Sequence, residues 1–157
     1  MIYYKNLSLL DKLCGKKHLT DKLHYESTIN EARQFLLRDL HWLFNSTNNS
    51  TILNFEYFPY VMKSCLNFGI DSSSGKKISD IDSYKMEHNL RDAILMFEPR
   101  IDPQNLKIKC ISKTDNENLF NVILIEISGS FSNLSIPFHF CTEVDLEGGH
   151  FDIKELR

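Results

Sequence analysis

The chain has 157 residues, of which 42% are hydrophobic and 25% charged, and its formal net charge at pH 7 is −3. Such a composition is ordinary for one globular domain with its own core. The slightly negative charge gives no general attraction to nucleic acid or to an anionic membrane. No apolar run approaches the roughly 18 residues of a membrane span, so we expect a soluble, unexported chain without direct membrane insertion.

The cysteines and histidines lack the spacing of a metal site. Cysteines stand at positions 14, 65, 110 and 141 without a CxxC pair, and the histidines form no HxxxH or HExxH pair. Three of the cysteines lie in apolar runs, so buried free thiols in a reducing compartment are the expected state. We predict no metal, no cofactor and no small-molecule substrate.

Residues 1–26 are predicted to form a docking segment and a linker ahead of one domain at 27–157. Leu9, Leu10 and Leu13 belong to an apolar segment that is too short to be a stable helix alone. This segment must therefore pack on its own domain or on a partner. The polar residues that follow it would serve as the linker.

Two amphipathic helices are predicted before residue 98. The first begins at Thr28, which has the capping-box spacing with Glu31, and Trp42 near its end is expected in the core. The second begins near Asp82 or Ser83 and presents a regular apolar face. An aromatic-rich stretch at 51–70, with a short helix and a turn, lies between them.

The second helix ends on the tripeptide Glu98-Pro99-Arg100. Pro99 cannot donate the hydrogen bond that would continue the helix, and it disfavours the helical conformation of the residue before it. Two interpretations of the flanking charges remain open. Either they form an ion pair that clips the corner, or Arg100 offers a two-pronged contact to a partner carboxylate. A partner contact predicts that Arg100→Ala leaves the monomer folded, whereas a clip predicts that it unfolds.

The last third of the chain has the alternation of β-strands. Strand-like segments occupy Leu106–Cys110, Phe120–Ile127 and Ile136–Phe140, and the tail Asp145–Arg157 offers a fourth, short strand. Short connections favour antiparallel neighbours. The predicted fold class is therefore α+β, with N-terminal helices packed on a small, mainly antiparallel C-terminal sheet.

Five segments in a fixed order carry a family resemblance. They are Ser8–Leu13, Arg38–Asn45, Ser64–Ile70, Phe97–Ile101 and Ile136–Leu146. They are spread over nearly the whole chain and resemble the TssE family, the baseplate wedge proteins of bacterial type VI secretion. These proteins are similar to the gene-25 wedge protein of contractile phage tails. The sequence departs from the usual pattern at Lys12, where arginine is common, and at Ile70-Asp71, which lacks a frequent proline.

The resemblance implies a structural, non-enzymatic subunit with a gene-25-like fold. Members of the family join the baseplate wedge with the TssF and TssG proteins and template the first ring of the TssB/TssC sheath. The chain would then be cytoplasmic, within a membrane-docked baseplate assembly. The family's Glu-Pro-Arg tripeptide meets neighbouring components, which implies partner-binding roles for Glu98, Pro99 and Arg100.

The resemblance further implies that the small sheet receives strands from the first sheath subunits at an open edge. The predicted edge candidates are Ile136–Thr142, which contains Phe138 and Phe140, and the C-terminal tail. Together with Leu9, Leu10 and Leu13, these residues complete the predicted partner-binding set.

Glycoside hydrolysis is the enzymatic alternative, because the superfamily has carried a lysozyme label. That reaction needs two carboxylates across a cleft, one of which must be protonated to act as the acid. Glu87 and Glu98 would lie about 16 Å apart along one helix at 1.5 Å per residue, which is too far for a catalytic pair. Glu126 or Glu143 could face Glu98, but the charge of Arg100 favours the ionised form of Glu98.

A regulatory role is the second alternative. An anti-adaptor of stress sigma-factor proteolysis is a distant relative that shares the wedge protein's fold. Such a regulator would bind one adaptor and would not need a sheet edge that faces a sheath. The intact Glu-Pro-Arg corner favours the baseplate interpretation over this one.

Overall fold

The computed structural model describes residues 25–50, 52–55, 57–112, 121–132 and 135–156, together with Leu13. From residue 25 on, three α-helices precede a four-stranded sheet in the described residues. The elements are α1 at Tyr25–Phe44, α2 at Pro59–Met62, α3 at Ser83–Phe97, β1 at Lys107–Ser112, β2 at Val122–Ser130, β3 at Pro137–Asp145 and β4 at His150–Glu155. This arrangement confirms the predicted α+β class. The division at residue 26 stays a prediction.

The sheet is antiparallel and its strands are ordered as they occur in the chain, β1-β2-β3-β4. In its register, Ile125 of β2 lies between Cys110 of β1 and Thr142 of β3. Burial alternates along β3, where Phe138, Phe140, Thr142 and Val144 are the buried residues. Since successive side chains of a strand point to opposite faces, one face of the sheet packs on the helices.

The core lies between that face and the apolar sides of α1 and α3. Helix α1 contributes Leu36 and Leu40, and α3 contributes Ile94, each of them fully buried. Burial of such a side chain contributes roughly 1.5–3 kcal/mol. Helix α3 begins where predicted, since Asp82 Oδ1 accepts hydrogen bonds from the first backbone N–H groups of the helix.

Three details differ from the prediction. Helix α1 begins at Tyr25 rather than at Thr28. Trp42 is 44% exposed and not part of the core, because it lies off the stripe that Leu36, Leu40 and Leu43 present to the sheet. Cys65, expected to be buried, is an exposed free thiol.

The prediction that Ile136–Thr142 forms a sheet edge is wrong. Strand β3 is hydrogen-bonded to β2 on one side and to β4 on the other, and Phe138 and Phe140 are 4% and 0% exposed. A strand that lies between two others uses both rows of backbone groups for pairing. The C-terminal tail does form an outer strand, β4.

Candidate partner-binding site

The Glu98-Pro99-Arg100 corner turns the chain from α3 toward the sheet. Glu98 terminates α3, and its N–H donates to the Ile94 carbonyl at 2.8 Å. Pro99 is exposed, whereas Glu98 and Arg100 are buried. The corner therefore keeps its two charges inside the molecule and turns its proline outward.

Arg100 forms a two-pronged ion pair with Glu98. Arg100 Nε donates to Glu98 Oε1 at 2.6 Å, and Arg100 Nη2 donates to Glu98 Oε2 at 2.5 Å. Arg100 Nη2 also donates to Asp39 Oδ2 of α1 at 2.6 Å. One guanidinium thus joins the end of α3 to the middle of α1. Paired hydrogen bonds of this kind fix geometry as well as charge.

The electrostatics of this cluster keep Arg100 charged. Burial by itself lowers the pKa of Arg100, but the hydrogen bond and charge of Glu98, followed by those of Asp39, outweigh it. The pKa of Arg100 is therefore raised above its ordinary value. A buried cation of this kind depends on its carboxylate partners, and they depend on it.

Asp39 continues the ion-pair network to the surface. Arg38 Nε and Nη2 donate to Asp39 Oδ1 at 3.1 and 3.0 Å. The Arg38 guanidinium lies 5.3 Å from the centre of the Phe35 ring and 4.9 Å from that of Trp42, a cation–π arrangement. The sequence does not indicate that Asp39 pairs with Arg100, because the two residues are 61 positions apart and no local pattern links them.

The geometry therefore shows the corner as an internal clip. The partner-binding roles of Glu98, Pro99 and Arg100 stay predictions, as do those of Phe138 and Phe140. Leu9 and Leu10 lie outside the described residues, while Leu13 is helical and 75% exposed.

A loop beside the corner, the described residues of 52–68 with the short helix α2 among them, carries many exposed apolar side chains. Phe68 in this loop packs edge-on against Phe97 of α3, with ring centres 5.2 Å apart. The loop also borders a groove of about 580 Å³. Its exposed apolar side chains are Ile52, Leu53, Tyr57, Phe58, Tyr60, Met62, Leu66 and Phe68. Extended exposed apolar surfaces of this kind mark sites of protein association.

Asn67 and Gly69 hold that loop against the end of α1. Asn67 Oδ1 accepts from Asn49 N and Ser50 Oγ, both at 3.0 Å. Gly69 has φ of +127°, and Ile70 N donates to the Ser46 carbonyl at 2.9 Å. The apolar surface is thus carried by a fixed backbone.

Side chains of α3 bond backbone groups at the outer edge of β1 and its flank. Glu87 Oε1 accepts a 2.7 Å hydrogen bond from the outward N–H of Cys110. Arg91 donates to the Leu106 carbonyl and, at 2.7 Å, to the Pro103 carbonyl. Side chains that bond an edge in this way hinder the pairing of another strand at those positions.

We expect the Cys110 thiol to react slowly because of this cover. Burial, assisted by the negative charge of Glu87, raises the pKa of Cys110 to about 12. Because the thiolate is the nucleophile, alkylation of Cys110 by iodoacetamide at pH 8 should be at least about tenfold slower than that of the exposed Cys65. Peptide mapping by mass spectrometry over time measures both rates. Equal rates would show that α3 does not cover this edge in solution.

The outer edge of β4 is only partly occupied. Leu156 N donates to the His139 carbonyl, so in this register the backbone groups of Phe151, Ile153 and Glu155 point away from β3. The Asn45 side chain bonds the outward backbone groups of Phe151. Its Oδ1 accepts from Phe151 N at 3.0 Å, and its Nδ2 donates to Phe151 O at 2.9 Å. No described residue bonds the outward backbone groups of Ile153 and Glu155.

Metal ligands and membrane spans are absent from the part of the chain that the structure describes. No group of three or more His, Cys, Asp or Glu side chains there could hold a metal ion. None of the helices described combines the length and the apolar character that crossing a membrane requires.

These features define the class of protein: a small α+β domain with a clamped corner, an exposed apolar loop and one partly unbonded strand edge. The chain belongs to the family of the baseplate wedge protein gp25, whose family model matches residues 30–133, well over half of the chain. No curated protein and no solved structure was found to match it. The predicted resemblance to gene-25-like wedge proteins is thus confirmed, and membership in this family indicates a structural role in a baseplate.

Proposed function

We propose that this chain is a structural subunit of a type VI secretion baseplate wedge that joins TssF and TssG and initiates the TssB/TssC sheath. It acts in the cytoplasm, within a baseplate docked at the membrane. The observation that carries the sheath contact is the outer edge of β4, where the backbone groups of Ile153 and Glu155 have no partner among the described residues. Family membership supports the baseplate role.

Strand addition is the association that such an edge supports. An extended segment of a partner can pair with the free N–H and C=O groups and continue the sheet. The opposite edge is less favourable, because Glu87 and Arg91 already bond the Cys110 N–H and the Leu106 carbonyl on either side of Ile108. The sheath contact is therefore assigned to β4 rather than to β1.

The wedge contacts are assigned to the Glu98-Pro99-Arg100 corner and to the exposed apolar loop beside it. Pro99 is exposed at the corner, and the apolar loop lies beside it through the Phe68–Phe97 contact. In this proposal TssF and TssG bind this region, and the segment with Leu9, Leu10 and Leu13 docks on them. The buried Glu98–Arg100 pair holds the corner in shape for that contact.

The same geometry argues against glycoside hydrolysis. Glu98 is buried and ion-paired with Arg100, and Glu87 accepts the Cys110 N–H. A general acid must instead carry a proton and face a substrate. The proposed role is therefore non-catalytic.

Proline at residue 155 tests the strand edge. The Glu155 N–H points outward, so proline there removes a donor to an incoming strand without removing a β3–β4 bond. Glu155→Ala is the matched control, because it loses the same side chain, with its Arg33 contact, and keeps the N–H. We expect Glu155→Pro to lose co-purification with TssB/TssC and to keep TssF and TssG, while Glu155→Ala keeps all four.

Two outcomes would contradict the proposal. If Glu155→Pro recruits the sheath proteins as well as Glu155→Ala does, the β4 edge is not their site. If the wild-type protein is folded and monomeric but binds none of the four proteins, the wedge role fails and the anti-adaptor role becomes the hypothesis to test.

A further inference from the structure

The Asn45 side chain completes the β4 edge in the way that a residue of a neighbouring strand would. Its carboxamide accepts from the N–H of Phe151 and donates to the C=O of the same residue, at 3.0 and 2.9 Å. This exchange of two hydrogen bonds with one residue is the pattern of an antiparallel pair. Asn45 therefore occupies one full pairing position of the edge.

The position of Asn45 is itself fixed. Its backbone N–H donates to the His41 carbonyl at 3.1 Å, which ties the residue to the last turn of α1. Its Nδ2 lies 2.9 Å from the same carbonyl oxygen. Because Asn45 is bonded both to α1 and to Phe151, an incoming strand would have to break these hydrogen bonds before it could pair with Phe151.

The two remaining outward residues differ from Phe151. Ile153 is buried, with 5% of the whole residue exposed, and no described residue bonds its outward N–H and C=O. The Glu155 carboxylate contacts Arg33 and Gln34 of α1. No described residue bonds the outward backbone groups of Glu155. The free part of the edge is thus confined to the C-terminal half of β4.

We propose that Asn45 is a register-determining residue, which limits strand addition on β4 to Ile153 and Glu155 and sets where the added strand must end. This inference rests on the proposed sheath contact and specifies it. An added strand pairs with the free groups and stops at Asn45, because the next position is occupied. One-residue slips would turn its side chains to the opposite face, so a fixed stop gives a single register.

The chemistry of the incoming segment follows from this arrangement. A residue paired with Ile153 points its side chain to the same face of the sheet as Ile153, the face that packs on α1. Leu37 of α1 is partly buried on that core. The segment should therefore carry an apolar residue opposite Ile153, while its neighbours on either side point to the outer face, where polar residues are accommodated.

Residue-resolved hydrogen exchange tests the inference on the complex of the full chain with TssB/TssC. In the wild-type protein, binding should slow the Ile153 and Glu155 amides at least about tenfold and change the Phe151 amide less than about twofold, because Asn45 already protects it. In Asn45→Ala, the Phe151 amide should exchange faster in the free protein and become newly protected on binding. Ser46→Ala is the control, because it removes a side-chain hydrogen bond to the Trp42 carbonyl on α1 and keeps the Asn45 side chain that bonds Phe151.

The outcomes separate the two proposals. If Ile153 and Glu155 are protected on binding but Phe151 is slowed equally in the wild-type protein, Asn45 does not limit the edge and the inference is overturned. If none of the three amides is protected, strand addition itself is wrong. The wild-type measurement decides both points even if Asn45→Ala does not fold, and Asn45→Asp, which keeps the acceptor for Phe151 N–H, provides a second variant.

Discussion

Replacement of Arg100 by methionine is expected to lower the free energy of unfolding by about 3–5 kcal/mol, because it leaves buried carboxylates without their cation. Glu98 loses both of its short bonds to the guanidinium, and Asp39 loses one. Chemical denaturation followed by circular dichroism measures the change. The same loss would follow from Arg100→Ala, with an added cost for the missing volume.

A double variant identifies the cause. In Glu98→Gln/Arg100→Met one carboxylate is neutral and Asp39 keeps its bonds to Arg38, so the double variant should be more stable than Arg100→Met alone. Lys154→Ala is the control, because it breaks an ion pair between exposed side chains and should leave stability unchanged. An Arg100→Met protein as stable as the wild-type protein would contradict the internal clip and restore the interpretation of Arg100 as a surface contact.

Gly69→Ala is expected to destabilise the loop that carries the exposed apolar surface by about 3 kcal/mol or more. The φ of +127° at Gly69 is rarely adopted by residues with a side chain, and an added Cβ would lie 2.7 Å from the Ser46 carbonyl carbon and 2.9 Å from Asn48 N. Both neighbours are backbone atoms, so neither can move aside cheaply. Thermal and denaturant unfolding measure the effect.

Gly75→Ala separates conformational strain from the clash. Gly75 also has positive φ, +76°, but an added Cβ there has no atom within 4 Å. Its loss of stability should therefore be about 1 kcal/mol, the strain of the backbone alone. Equal losses for the two variants would mean that the close approach of Gly69 to Ser46 and Asn48 is not present in solution.

The succession of elements could be predicted because each one is encoded locally. Apolar residues at helical spacing mark α1 and α3, and α3 begins at Ser83, one of its two predicted starts, with Asp82 as its N-cap. Alternating apolar residues mark the strands, and short connections between them gave the antiparallel order. The tail was also correctly predicted as a last strand.

The details that the sequence did not reveal depend on contacts between distant residues. Asp39 and Arg100 belong to different helical and turn segments, and neither carries a local mark of the other. The pairing of Asn45 with Phe151 is equally nonlocal, since asparagine after a helix usually signals only a turn. The prediction of β3 as an edge is wrong because an alternating pattern does not reveal how many neighbours a strand has.

The bonds that α3 makes to Cys110 and Leu106 hinder strand pairing at the β1 edge of the described sheet. If two copies of this chain paired through β4, each would use the same edge, and the result would be a closed two-fold dimer. Growth into a fibre requires a second open edge on every copy, and Glu87 and Arg91 bond part of the one that would be needed. These bonds therefore oppose growth of the described sheet by self-association.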